Sequence, residues 1–319
     1  MATKLRSASQ RFARVLRTQT HWLLPAEFAV ISSFYVFIFL FVERGQDARI
    51  YQAATRAWLS GGDPWSAGYA GVTFAGPPVS LLPLAPIAWL DPDVFVALIV
   101  GASTIAAVIA LRRLRLPAWW LLFPPLVEGI TVGNPDILVL ALLTTGGRLG
   151  LVAGPLAVIL KVYGAVPLLL LRRWRELALA AMIALLTVPI LPWEAFFAHD
   201  VVGTLSSQSS GGKNAWLWIP IVPIALVALI VIGRGKAAWW SVPVLWPSTQ
   251  FHYSVLALPA ISPISAALLA LPILPFAPVL AVLVVAYERL SVSQGKSNSG
   301  GGAGRTIRRR ITSSARIRD

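Results

Sequence analysis

The chain has 319 residues, of which 57% are hydrophobic and only 13% charged, against about one quarter charged in an ordinary soluble domain, and no soluble fold could keep that much apolar surface from water. Its net charge of +14 does not read as a nucleic-acid surface. Lys4, Arg6, Arg11, Arg14 and Arg17 precede the first apolar run, and Lys296, Arg305, Arg308, Arg309, Arg310, Arg316 and Arg318 follow the last, which marks cytoplasmic flanks facing anionic lipid. Cysteine is absent, which excludes disulfides, thiol chemistry and thiolate zinc sites.

The apolar runs are continuous in Leu, Ala, Val and Ile and lack the alternation of barrel strands, so the predicted class is all-α, a polytopic integral membrane protein. Residues 1–22 read as a basic cytoplasmic segment, 23–288 as a membrane-embedded domain, and 289–319 as a basic cytoplasmic tail, Gly/Ser-rich and disordered from Ser291 on. The first run, Leu23 to Val42, has roughly the ~20 residues of a spanning helix and no cleavage site after it, so it is not a signal peptide.

An outer loop follows over 43–76. Within it, Asp47 to Leu59 reads as an amphipathic helix stopped by Gly61-Gly62, with Ile50, Ala54, Ala57 and Trp58 on one side, suited to lying on a membrane surface. The later apolar runs are Pro77–Leu90, Val94–Leu111, Pro117–Val127, Ile137–Thr145, Leu149–Leu160, Val162–Leu171 and Leu177–Leu191. A polar loop, Pro192 to Asn214, leads to Ala215–Ile232, Ala237–Trp246, Ser254–Ala260 and Ile264–Tyr287. They amount to roughly eight to ten crossings, an even number if both basic ends are cytoplasmic. Placing Arg112, Arg113 and Arg115 on the same side as Arg172, Arg173 and Arg175 requires some short runs to be re-entrant. The 24 prolines point to interrupted helices around a cavity. No internal repeat gives the signature of an inverted-repeat transporter.

Carboxylates near membrane helices are functional by default. Asp47 is either a general base at the outer face or the N-cap of the helix it opens. In Glu128-Gly129-Ile130-Thr131-Val132-Gly133-Asn134-Pro135-Asp136, the acids either line a polar cavity or belong to a turn in which Asp136 caps the next helix. Lys161, between apolar runs, either pairs with a phosphate or carboxylate or snorkels to an interface. His252 either donates to a lipid phosphate, shuttles a proton, or is a satisfied core histidine. His199 and Asp200 read as solvated loop polarity. No phosphate-cradling Gly-rich loop, His-Glu-x-x-His or Gly-x-Ser-x-Gly motif is present.

Four segments taken together resemble glycosyltransferase family 87 of the GT-C superfamily, which includes polyprenyl-phosphate-mannose-dependent α-mannosyltransferases. They are Asp47-x-x-x-Tyr51 with Ala57-x-x-x-Gly61-Gly62-Asp63-Pro64-Trp65; Phe74-Ala75-Gly76-Pro77-Pro78 with Leu82-Pro83-Leu84-Ala85-Pro86; Gly133 to Leu142 with Lys161-Val162-Tyr163 and Arg172-Arg173-Trp174-Arg175; and His252-Tyr253 with Leu258-Pro259. The chain departs from the family's Gly-Gln-x-Asn at Gly133-Asn134-Pro135-Asp136, and has Gly164 where the family shows Pro after Lys-x-Tyr. The resemblance implies a GT-C-like membrane domain, with no cofactor and no metal-ligating residues singled out, that moves a sugar from a polyprenyl-phosphate donor to a lipid or glycan acceptor at the outer face. It implies Asp47 as catalytic base, and substrate-binding roles for His252, Lys161, Arg49, Arg56, Tyr51 and Asp136. The competing readings are a transporter or flippase for a lipid-linked glycan and a non-catalytic membrane scaffold.

Overall fold

A computed structural model describes residues 22–37, 45–200, 203–204 and 215–299. The basic N-terminal segment before Trp22, the predicted end of the first span with the start of the outer loop (38–44), most of 201–214, and the tail from 300 on lie outside the described residues. Helix accounts for 75% of the structure, so the all-α reading holds. In chain order the helices are α1 (Trp22–Phe37), α2 (Gln46–Leu59), α3 (Pro92–Arg113), α4 (Pro124–Val132), α5 (Asp136–Leu143), α6 (Gly147–Leu160), α7 (Ala165–Leu170), α8 (Trp174–Leu186) and α9 (Trp193–Ala198). After these come α10 (Ile221–Ile232), α11 (Arg234–Leu245), α12 (Pro263–Ala270) and α13 (Ala277–Ser299). A small hairpin, β1 (Gly68–Tyr69) against β2 (Val72–Thr73), is an addition the sequence did not suggest. Its turn residues Ala70 and Gly71 both have positive φ, the conformation that lets a two-residue loop follow the strand twist.

Helix α3 is the one described helix long and apolar enough to cross a membrane unbroken, at 22 residues. Its ends are well specified. The Asp91 side chain accepts from the backbone N–H of Asp93, Pro92 takes the first position, and Arg112 and Arg113 occupy the last turn. Helices α4 and α5 pass the same length test only as a pair, bent by 117° at residues 133–135. The expected roughly eight to ten crossings are therefore not drawn as long straight helices. Proline lacks the N–H of an α-helical bond and clashes with the preceding turn. Accordingly Pro78–Ile87 and Phe251–Ala260 are 3-10 coils containing Pro83, Pro86 and Pro259, and the run from Ile264 to Tyr287 breaks at Pro272 and Pro275 into α12 and α13. Helix α13 continues to Ser299, where disorder was expected from Ser291.

Two apolar clusters organise the packing. The larger joins α3 to α7 with α10 to α13 through Phe123, Leu140, Trp240 and Leu256. The smaller joins α2, the coil at Pro78–Ile87 and the first half of α3 through Ile50, Tyr51, Trp65, Phe74, Phe95 and Ile99. Helix α2 has the expected extent and apolar face, but that face packs on α3 and Phe74, so it is not a face left for a membrane surface. The Gln52 and Arg56 side chains donate to the Ala88 and Leu90 carbonyls and fix α2 to the coil beside it.

The bend between α4 and α5 depends on Gly133. Its φ is +69°, and a Cβ there would lie 2.8 Å from the Ala48 Cβ on α2. Gly147 has a similar φ of +63° but open space around it. Gly133→Ala is therefore expected to lose about 1–3 kcal/mol, and more than Gly147→Ala, which carries the backbone cost alone. Thermal unfolding of both variants in detergent checks this, and equal losses would mean that α2 does not press on the bend.

Candidate functional site

The seam between the two clusters encloses a cavity of about 120 Å³. Asp47, Ile50 and Tyr51 line it from α2, Val72 and Thr73 from the hairpin, and Asn134, Lys161, Tyr163, Gln250 and Tyr253 from the larger cluster. The N-cap of α2 is Gly45, and Asp47, one residue past the first helical position, makes no capping bond. The capping role considered for Asp47 is thus not the one it performs. Its Oδ2 accepts from the Asn134 side-chain amide at 2.5 Å, while its Oδ1 accepts no hydrogen bond among the described residues. One oxygen is oriented and the other is left open, as a proton acceptor requires.

Asn134 also accepts, through Oδ1, the backbone N–H of Asp136 at 2.9 Å. One side chain therefore closes the first turn of α5 and holds the carboxylate of a helix 87 positions earlier. The N-cap position of α5 is Pro135, with no side-chain cap. Asp136 is free of the capping role expected for it, and its fully buried carboxylate accepts from the Tyr163 hydroxyl. The Lys161 ammonium lies 3.9 Å from the same oxygen.

Lys161 sits at the extended break between α6 and the 3-10 turn Val162–Gly164. Its ammonium is 5.4 Å from the Tyr51 ring centre, 5.8 Å from that of Tyr253 and 5.9 Å from that of Tyr163. Three ring faces and a carboxylate hold the charge inside the protein, so this lysine does not snorkel outward. Burial pushes the Tyr51 phenol above its ordinary value, with Lys161 opposing, so it remains a neutral donor at the cavity wall. The chain's departure at Gly164 has a local cause. A Cβ there would lie 2.8 Å from the Ala157 carbonyl oxygen, and the Gly164 N–H bonds to the Lys161 carbonyl, an N–H that proline lacks.

His252 is buried behind Asp136 and does not line the cavity. Its Nδ1 is 3.5 Å from the Glu128 Oε2 and its Nε2 is 3.8 Å from the Asp136 Oδ2, and none of these four atoms has a hydrogen-bond partner. It is neither a satisfied core histidine nor within reach of a phosphate in the cavity.

Three further assignments are corrected by geometry. Arg49 pairs with Asp93 and lies over the Tyr69 ring, and Arg56 is committed to the Ala88 and Leu90 carbonyls, so neither faces the cavity. Asp136 is enclosed by its partners and acts on Lys161 and Tyr163 in place of a substrate. Asp63 holds the Trp65 N–H in an exposed turn. Asn134, Tyr163 and Tyr253, given no individual role above, and Gln250 also line the cavity. Among the described residues, no group of three or more His, Asp or Glu is arranged to hold a metal ion. Comparison of the chain with family models, with characterised proteins and with solved structures gives no match.

Removing one partner of a buried ion pair leaves the other charge uncompensated, which typically costs about 3–5 kcal/mol. Asp136→Asn is therefore expected to destabilise the protein by that order, whereas Asp47→Asn, at the half-open cavity wall, leaves the unfolding temperature near the parent's. Parallel thermal melts decide between this and a peripheral Asp136, for which the two variants would melt together.

Proposed function

We propose that the chain is a membrane glycosyltransferase that moves a sugar, mannose by family resemblance, from a polyprenyl-phosphate donor to a hydroxyl of a lipid or glycan acceptor. The observation that carries this reading is that one cavity presents a carboxylate oxygen without a hydrogen bond, on Asp47, and a caged ammonium, on Lys161. A base and a cation facing one space are what transfer from a phosphate-linked sugar needs.

In the reaction, the Asp47 Oδ1 takes the proton of the acceptor hydroxyl. The hydroxyl oxygen attacks the anomeric carbon, and the bond from that carbon to the donor's phosphate oxygen breaks. The electron pair leaves with polyprenyl phosphate, whose charge Lys161 and the Tyr51 hydroxyl stabilise. A single displacement inverts the anomeric carbon. Lys161 is the only lysine or arginine lining the cavity among the described residues, which suits a monophosphate better than the diphosphate of a nucleotide sugar. Asn134 keeps the base in one orientation, and the hairpin β1–β2 covers the site.

The membrane placement is supported by apolar side chains left exposed along helices. Val94, Leu98, Ile105 and Ile109 on α3, Met182, Leu185 and Leu186 on α8, and Ile224, Val227 and Ile230 on α10 face outward. The charge distribution supports an outer cavity. Helix α5 starts beside the cavity at Asp136 and ends where Arg113 and Arg173 bind its last carbonyls, so the arginine-rich turns lie at the end opposite Asp47.

Asn cannot accept the acceptor's proton, and general-base help is worth about 10²–10⁴-fold. Asp47→Asn is expected to reduce transfer from polyprenyl-phosphate mannose by at least that lower factor at unchanged unfolding temperature. A variant that keeps the parent rate would remove Asp47 from the chemistry and with it the present assignment of the site.

A further inference from the structure

One short segment of the Asp47 cavity carries polar groups that the protein itself does not use. Ser248, Gln250 and Tyr253 line the cavity, and the Ser248 hydroxyl, the Gln250 amide and the Tyr253 hydroxyl have no hydrogen-bond partner among the described residues. Ser248 and Tyr253 are each only 7% exposed. Their oxygens are nevertheless not among the unpartnered polar atoms sealed from solvent, so the exposure they keep includes the oxygen, at residues that line the cavity. Polar groups in buried residues are normally paired, and an unpaired one costs stability. Asn134, the other amide lining the cavity, shows the usual state. It donates to Asp47 and accepts from the Asp136 N–H.

The local backbone sets the three groups beside Lys161. Gln250 is the N-cap of the 3-10 coil Phe251–Ala260, and its carbonyl accepts from the Tyr253 N–H at 3.2 Å. A turn closed by that bond brings residues i and i+3 side by side, with residue i+2 on another side. Gln250 thus neighbours Tyr253, while His252 faces Glu128 and Asp136. The Tyr253 ring centre lies 5.8 Å from the Lys161 ammonium. From the cation outward the order is ammonium, phenol, amide. A group attached to a phosphate at Lys161 would meet the Tyr253 hydroxyl and then the Gln250 amide.

We propose that Ser248, Gln250 and Tyr253 bind the hydroxyl groups of the donor's sugar, and that this sugar is a neutral hexose. The inference rests on the transferase reading and names the substrate class and the residues that select it. A primary amide donates and accepts at once, so Gln250 can serve two neighbouring sugar hydroxyls, one accepting from its N–H and one donating to its oxygen. Asp47 and Lys161 are the only charged residues lining the cavity among the described residues. The base occupies one and the phosphate the other, which leaves no cation for the carboxylate of a uronic acid. A site that hydrogen-bonds substrate hydroxyls rejects a ligand unable to pair with it, because its own polar groups then stay unsatisfied.

The test is binding of radiolabelled polyprenyl-phosphate mannose, and of bare polyprenyl phosphate, to the full chain in a neutral detergent. The parent is expected to bind the mannosylated lipid more tightly than the bare one, and a polyprenyl-phosphate uronic acid more weakly than the mannosylated lipid. Gln250→Leu is expected to weaken binding of the mannosylated lipid about 10–100-fold, as for two lost hydrogen bonds, and Ser248→Ala by a smaller factor. Neither change should alter binding of the bare lipid or the unfolding temperature, since no bond within the protein is lost. Parent-like binding of the mannosylated lipid by Gln250→Leu, an equal loss for the bare lipid, or a parent that does not distinguish mannose from no sugar or from the uronic acid, would overturn the proposal. Sugar-dependent binding without any transfer would overturn the transferase reading alone and leave the sugar site standing.

Discussion

Asn134 joins two parts of the molecule that the chain keeps 87 positions apart, and both it and the carboxylate it holds line the cavity. The amide must lie at the start of α5 and face α2 at the same time. Only a sharp bend allows this, and Gly133, with its left-handed backbone and a missing Cβ facing Ala48, supplies it. Gly45 does the matching work on the other side. Its N–H bonds to the Thr131 carbonyl, and a Cβ there would run into Val96 on α3. Two glycines thus let α2 sit against the α4–α5 bend closely enough for one side chain to bridge them.

Behind this contact is a group of ionisable side chains held close together. Asp136 and His252 are buried, Glu128 and Lys161 partly so, and the separations of 3.5, 3.8 and 3.9 Å between them are longer than close hydrogen bonds. Buried charges at such distances recover only part of their desolvation cost. Their effect is to hold the Lys161 ammonium at one point on the cavity wall, between three tyrosine rings. A charge placed in advance does not have to reorganise when a phosphate leaves. The apolar side chains that α3, α8 and α10 leave exposed, set against buried polar groups such as Asp136 and His252, agree with the low charge content of the sequence.

Helices with uninterrupted apolar periodicity were legible. The run Val94–Leu111 matches α3 within two residues at each end, and Asp47–Leu59 matches α2 within one. Proline-rich runs were not, because hydropathy sees their apolar side chains and not the missing N–H groups. In the site, Asp47, Tyr51 and Lys161, singled out by charge near apolar runs and by family resemblance, come together at one cavity wall. Arg49 and Arg56, singled out with them, do not line it, and helix geometry already separates them from Asp47. At 3.6 residues per turn, they lie about 200° and 180° around α2 from Asp47, whereas Tyr51 lies only about 40° away. Asn134 was hidden because asparagine before proline reads as ordinary turn chemistry, and nothing local in the sequence names a partner so distant.

The central claim is that acceptor and donor meet in one cavity for a single displacement at the anomeric carbon. The most direct measurement is incubation of the purified chain with radiolabelled polyprenyl-phosphate mannose and membrane lipid or glycan acceptors, with the anomeric configuration of the product read by nuclear magnetic resonance. The account predicts label in the acceptor, free polyprenyl phosphate in equal amount, and inverted configuration. Retained configuration, or no transfer from any polyprenyl-phosphate sugar by folded protein, would contradict it.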